Sequence, residues 1–84
     1  METYDEEILK NVINTIKECL NKQDLHIELS STLAEDLDVD SSDGYCLIME
    51  LEEIYDIVID DKIIETLTTV ESVVNLIKER IEQA

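Results

Sequence analysis

The run Asp40-Ser41-Ser42-Asp43 concentrates the residue types best placed to do chemistry in this chain. A serine at the first position of a helix has an exposed hydroxyl beside backbone N–H groups that no helical carbonyl reaches. That is a favourable setting for an anion. Asp40 is a good N-cap and Asp43 falls at the third helical position, so two carboxylates flank the positive end of the helix dipole.

Other chemistries fail on spacing. Asp36, Asp38 and Asp40 alternate as calcium ligands do. A calcium loop starting at Asp36 needs glycine where Ser41 stands and glutamate where Leu47 stands; one starting at Asp38 needs glutamate at Met49. His26 is the single histidine and has no cysteine near it in sequence, so a zinc site or a Cys-His nucleophile pair lacks members. Cys19 and Cys46 are too few for a disulfide framework and are expected as reduced thiols, Cys19 buried as a small hydrophobe and Cys46 exposed without a role. Carboxylates abound, yet in so short a chain no pair reads as an acid–base couple. The expectation is a protein that is not an enzyme, with no catalytic residue and no metal site.

Composition narrows the partners. Twenty-two acidic against six basic residues give a formal charge of −16. Such a field repels nucleic acid and anionic membrane surfaces and draws in basic protein surfaces. The apolar fraction is 44% and recurs at helical spacing, which argues against disorder. Residues 1–6 are acidic and lead straight into a helical pattern, unlike a signal or transit peptide, and no apolar run approaches membrane-spanning length. The reading is one domain over residues 1–84, monomeric and cytoplasmic.

Four apolar stripes must position Ser41. Ile8, Leu9, Val12, Ile13, Ile16, Cys19 and Leu20 mark a first helix over residues 4–20, entered through a Thr3/Glu6 capping box and ended by residues 21–24. Residues 21–39 form a long loop whose Leu25, Ile27, Leu29, Leu33 and Leu37 fold back onto a core, with Ser31 or Thr32 capping a short turn. A second helix opens at Asp40 and buries Leu47, Ile48, Leu51, Ile54 and Tyr55. Asp43, Cys46, Glu50 and Glu53 form its opposite stripe, with Met49 and Glu52 beside it. Gly44 stands inside that helix at a cost of about 1 kcal/mol against alanine. Ile57-Val58-Ile59 is too short to build a sheet. Asp60 or Asp61 caps a short third helix holding Ile63, Ile64 and Leu67. Thr68-Thr69-Val70-Glu71 reads as a second capping box before a last helix with Val70, Val73, Val74, Ile77 and Ile81 inward. The chain lacks proline and has one glycine, so an all-α four-helix bundle is expected, with three longer helices and one short one.

Residues 35–43, Glu-Asp-Leu-Asp-Val-Asp-Ser-Ser-Asp, resemble the phosphopantetheine attachment motif of acyl carrier proteins, whose pattern reads loosely Asp-Leu-Gly-x-Asp-Ser-Leu-Asp. The likeness continues through residues 47–56, where the family has an apolar-acidic helix ending in Glu-Glu-x-Phe. It runs on through Ile59 and Thr68-Thr69-Val70, so that roughly residues 33–81 align in this way. Ser42 stands where the family has Leu or Met, Tyr45 where Val is usual, Cys46 where Glu is frequent, and Asp60 where Pro is common.

The resemblance implies 4′-phosphopantetheine, transferred from coenzyme A to Ser41 by a phosphopantetheinyl transferase, whose thiol holds acyl groups as thioesters. Ser42 lies outside the family's register. The expected partners are acyl-transferring and ketosynthase-type enzymes of fatty-acid, polyketide or related lipid biosynthesis, through basic docking patches. Asp40, Asp43, Met49, Glu50, Glu52 and Glu53 would face them, the charges speeding encounter and Met49 giving a soft apolar contact. The departures at Ser42 and Cys46 fall on this face and leave a specialised pathway open. Two alternatives stay open beside the acyl carrier: an aminoacyl or peptidyl carrier, and a non-covalent acidic scaffold of the same fold without the arm. The apolar interior has a second possible use, sheltering an acyl chain between parted helices.

Overall fold

The computed structural model describes residues 2–83, apart from the side chains of residues 2–5, Asp61 and Gln83. Its helices are α1 (Glu2–Leu20), α2 (Ser41–Tyr55), α3 (Asp61–Ile64) and α4 (Val70–Gln83), with residues 21–40 joining the first two. The all-α bundle with one short helix and a long first connection is therefore the observed fold.

Helix α1 is the organiser, packing on both α4 and α2, while α3 rests on α2. Ile8, Val12 and Ile16 meet Leu47, Ile48 and Leu51 from α2 and Val70, Val73, Val74, Leu76 and Ile77 from α4 in one apolar cluster. Thr15 is buried among them and returns its hydroxyl to the Asn11 carbonyl at 2.7 Å, which satisfies it within the helix. Asn11 donates its amide to the Tyr55 hydroxyl at 2.7 Å, tying α1 to the far end of α2.

The element ends show how closely local chemistry sets boundaries. Helix α1 already includes Thr3, so that residue is not an N-cap, and its side chain lies outside the described residues. At the other end Asn21 takes a left-handed φ of 57° and Lys22 N–H reaches back to the Lys17 carbonyl at 3.0 Å, a Schellman-type stop. Asp60, not Asp61, caps α3 through Lys62 N–H. Helix α4 is capped one residue later than the sequence pattern suggests. Thr69 and Ser72 exchange side-chain-to-backbone bonds at 3.1 and 3.2 Å, displacing the Thr68/Glu71 box.

The long loop is held by backbone bonds as well as by its apolar residues. Ser31 and Leu29 carbonyls accept from Val70 and Glu71 N–H groups at 3.0 Å, which satisfies two orphan donors at the start of α4. Leu33 N–H answers the Thr68 carbonyl at 2.9 Å, and Thr32 pairs with Thr69 in an isolated bridge. Ile27, Leu33 and Leu37 are buried as expected and Leu25 is half-buried, but Leu29 is exposed, its backbone rather than its side chain making the contact. Ile54 is likewise 51% exposed, because the buried stripe of α2 passes through Leu51 to half-buried Tyr55.

The cysteines are not the separate reduced thiols expected from the sequence. Cys19 and Cys46 are both half-buried and form a disulfide, with Cα atoms 6.0 Å apart across 27 positions of sequence. A closed loop of that span removes unfolded-chain entropy worth about 3.5 kcal/mol. The reason is packing: the last turn of α1 runs beside the second turn of α2, which turns Cys46 inward from its acidic neighbours.

Candidate functional site

Ser41 is the first residue of α2 and is exposed. Asp40 precedes it in extended backbone (φ −93°, ψ −173°) and accepts from Asp43 N–H at 2.9 Å, while Asp43 returns a longer bond, 3.4 Å, to Asp40 N–H. This reciprocal box fixes where the helix begins and makes Ser41 its first turn's leading side chain. The first helical bond runs from Gly44 N–H to the Asp40 carbonyl at 2.9 Å, so the amides of Ser41 and Ser42 stand ahead of the ladder at its positive end.

Upstream, residues 32–39 make a compact turn that delivers Asp40. Thr32 and Asp36 bond each other's N–H groups at 2.9 and 3.0 Å, so Thr32 and not Ser31 is the capping residue; the Ser31 hydroxyl instead accepts from Glu28 N–H. Val39 N–H closes the turn on the Leu33 carbonyl at 2.7 Å. Asp38 bends the chain there with φ 57°, a left-handed conformation that costs most side chains about 1–2 kcal/mol and Asp somewhat less. In the attachment pattern this is the glycine position.

A groove of about 580 Å³ opens beside Ser41, between the loop, the first half of α2 and the α3–α4 connection. Leu33, Val39, Leu47, Ile48, Ile64 and Leu67 give it an apolar floor and walls. Its size falls in the ordinary range for small-molecule sites. Ser41 lines it and Ser42 does not. Gly44 and Tyr45 also border it, and a β-carbon added at Gly44 would meet nothing within 4 Å. Tyr45, Ile64 and Leu67 were not singled out from sequence as site residues, since a groove built from three segments has no periodic signature.

The acidic stripe divides by duty. Met49 is 64% exposed, and Glu50 and Glu53 are exposed beside it. Asp40 is exposed too, but it and half-buried Asp43 are engaged in capping. The Glu52 carboxylate accepts from Ile59 N–H at 2.7 Å, holding the chain that leaves α2. Among the described residues no cluster of ligating side chains fits a metal ion.

Residues 10–77 match the family model described as a phosphopantetheine attachment site. The acyl carrier protein of Borrelia garinii subsp. bavariensis is 40% identical over 76 residues, covering 90% of this chain and 95% of that protein. Those of Exiguobacterium sibiricum and a Picosynechococcus species are each 37% identical over 76 residues, covering 90% of this chain and 96% and 94% of theirs. The chain belongs to the acyl carrier protein family. Carriers of this family use covalently held 4′-phosphopantetheine, and the residues present fit that group. An exposed serine leads the helix, unladdered amides suit a phosphodiester, and an apolar groove adjoins them. When bound, the arm supplies a thiol that holds cargo as a thioester. No helix among the described residues is long and apolar enough to cross a membrane.

Proposed function

We propose that Ser41 is the attachment residue and that the whole chain, residues 1–84, works as one acyl carrier domain. The observation that carries this is the placement of Ser41 at the first turn of α2 and on the rim of the apolar groove, with Ser42 outside it. The chain's own residues then have separable tasks. Asp40 and Asp43 hold the helix start, so that the serine hydroxyl is presented to an incoming phosphopantetheinyl transferase. The amides of Ser41 and Ser42 favour the phosphodiester that results. Leu33, Val39, Leu47 and Ile48 offer an apolar surface to an acyl chain. The groove favours acyl cargo over aminoacyl or peptidyl cargo, because its apolar walls reward methylene groups at about 0.8 kcal/mol per buried CH₂.

Met49, Glu50 and Glu53, with Asp40, Asp43 and Glu52 at the margins, supply the face that meets basic patches on acyl-transferring and ketosynthase-type enzymes. Charge of one sign speeds encounter without demanding a long-lived complex. The carrier acts as substrate for those enzymes and performs no chemistry on its cargo; the setting is cytoplasmic and the working form a monomer.

The test is intact mass after incubation with coenzyme A and a phosphopantetheinyl transferase of broad specificity. A gain of one arm in folded protein is the expected result. No gain with several transferases would leave the non-covalent acidic scaffold as the function of this fold.

A further inference from the structure

The Cys19–Cys46 bond joins the last turn of α1 to the second turn of α2, and Cys46 lies five residues after Ser41. At 1.5 Å per residue that separates them by about 7.5 Å along the helix axis. Ser41, Gly44, Tyr45, Leu47 and Ile48 border the open groove, and Cys46 does not. The first half of α2 therefore has an open groove along one side, with a covalent link to α1 off that groove. Both cysteines are half-buried rather than sealed in the core, so small openings expose the sulfurs to dissolved thiols.

A second consideration rests on the carrier reading above. A thioester carrier works where dissolved thiols are kept reduced, and such thiols are the reductant that opens the Cys19–Cys46 bond by exchange. We propose that this pair is a reversible redox tie governing how freely the Ser41 end of α2 moves. The bond forms on exposure to an oxidised low-molecular-weight disulfide such as glutathione disulfide. One cysteine thiolate attacks a glutathione sulfur, expelling a glutathione thiolate and leaving a mixed disulfide. The second cysteine thiolate attacks the protein sulfur of that mixed disulfide and expels the other glutathione thiolate. The two cysteine protons end on two glutathione thiols, so one disulfide is reduced for each one formed. Oxidised, the tie holds α2's second turn on α1 and slows entry of Ser41 into a transferase; reduced, the helix start is released.

The test compares three samples by amide hydrogen exchange: wild type equilibrated in glutathione disulfide, wild type in reduced glutathione, and the C19S/C46S double variant. Peptide mapping fixes the redox state of each. The expected result is exchange at residues 43–48 slower by about tenfold or more in the oxidised sample. The double variant should match the reduced sample and ignore the glutathione ratio. Ser41 loading should be slower in the oxidised sample. Failure of the bond to form in folded protein overturns the proposal. So does a bond that raises the melting temperature but leaves exchange at residues 43–48 unchanged, since the link would then be structural only. Redox-dependent exchange without loading in any sample would count against the carrier reading and leave the tie standing.

Discussion

Asp38 and Gly44 sit six residues apart; the backbone at the first suits glycine, and the backbone at the second suits a residue with a β-carbon. Asp38 takes a φ of 57° in an exposed turn, while Gly44 lies in regular helix with open space where a β-carbon would go. Relief of left-handed strain should make Asp38→Gly stabilising by about 0.5–1 kcal/mol. Gly44→Ala should stabilise by about 0.4–1 kcal/mol, because it restricts the unfolded chain and fills no occupied space. Urea unfolding checks both: each should raise the midpoint without changing the slope. The left-handed turn at Asp38 was readable in principle from the glycine of the attachment pattern, although Asp38 was not among the departures singled out. The environment of Gly44 was not readable, since openness on one side of a helix depends on where the loop and the α3–α4 connection come to rest.

At the scale of elements, periodicity and caps were largely legible. The apolar steps of α1, α2 and α4 and the Asp40/Asp43 box all point to the observed helices. The miss at α4 is instructive: Thr68/Glu71 and Thr69/Ser72 both offer cap chemistry one residue apart. Tertiary bonds that Glu71 and Val70 N–H groups donate to the Leu29 and Ser31 carbonyls select the second. Thr69→Ala should therefore cost about 1 kcal/mol in thermal or urea unfolding, and Thr68→Ala much less. Glu52 makes a similar point within the acidic face. Its bond to Ile59 N–H predicts that Glu52→Ala destabilises by about 1–2 kcal/mol, whereas Glu53→Ala stays within about 0.5 kcal/mol. Partner-binding rates measured on folded variants separate the duties, with Glu53→Lys lowering association and leaving stability nearly unchanged.

For the whole molecule, a charge of −16 is confined within extents of 31 × 28 × 19 Å. Most of those charges lie within a few Debye lengths of one another at moderate salt, about 10 Å at 0.1 M. Stability should rise with added sodium chloride, read as a melting temperature several degrees higher at 0.3 M than at 0.01 M; independence from salt would contradict a self-repelling surface. The total charge was plain in the sequence. What no local pattern disclosed was the pairing of Cys19 with Cys46, since it depends on which faces of α1 and α2 meet. The groove escaped for the same reason: Leu33 and Leu47 read individually as core, Val39 and Ile64 were given no place beside Ser41, and only their assembly leaves space there.

The central claim is that Ser41, and not its neighbour, bears the arm. The most direct measurement is the mass of wild type, Ser41→Ala and Ser42→Ala after the same transferase reaction, with circular dichroism confirming that all three are folded. One arm on wild type and on Ser42→Ala, and none on Ser41→Ala, is the predicted result. An arm retained by Ser41→Ala, or lost in Ser42→Ala with its fold intact, would contradict the assignment.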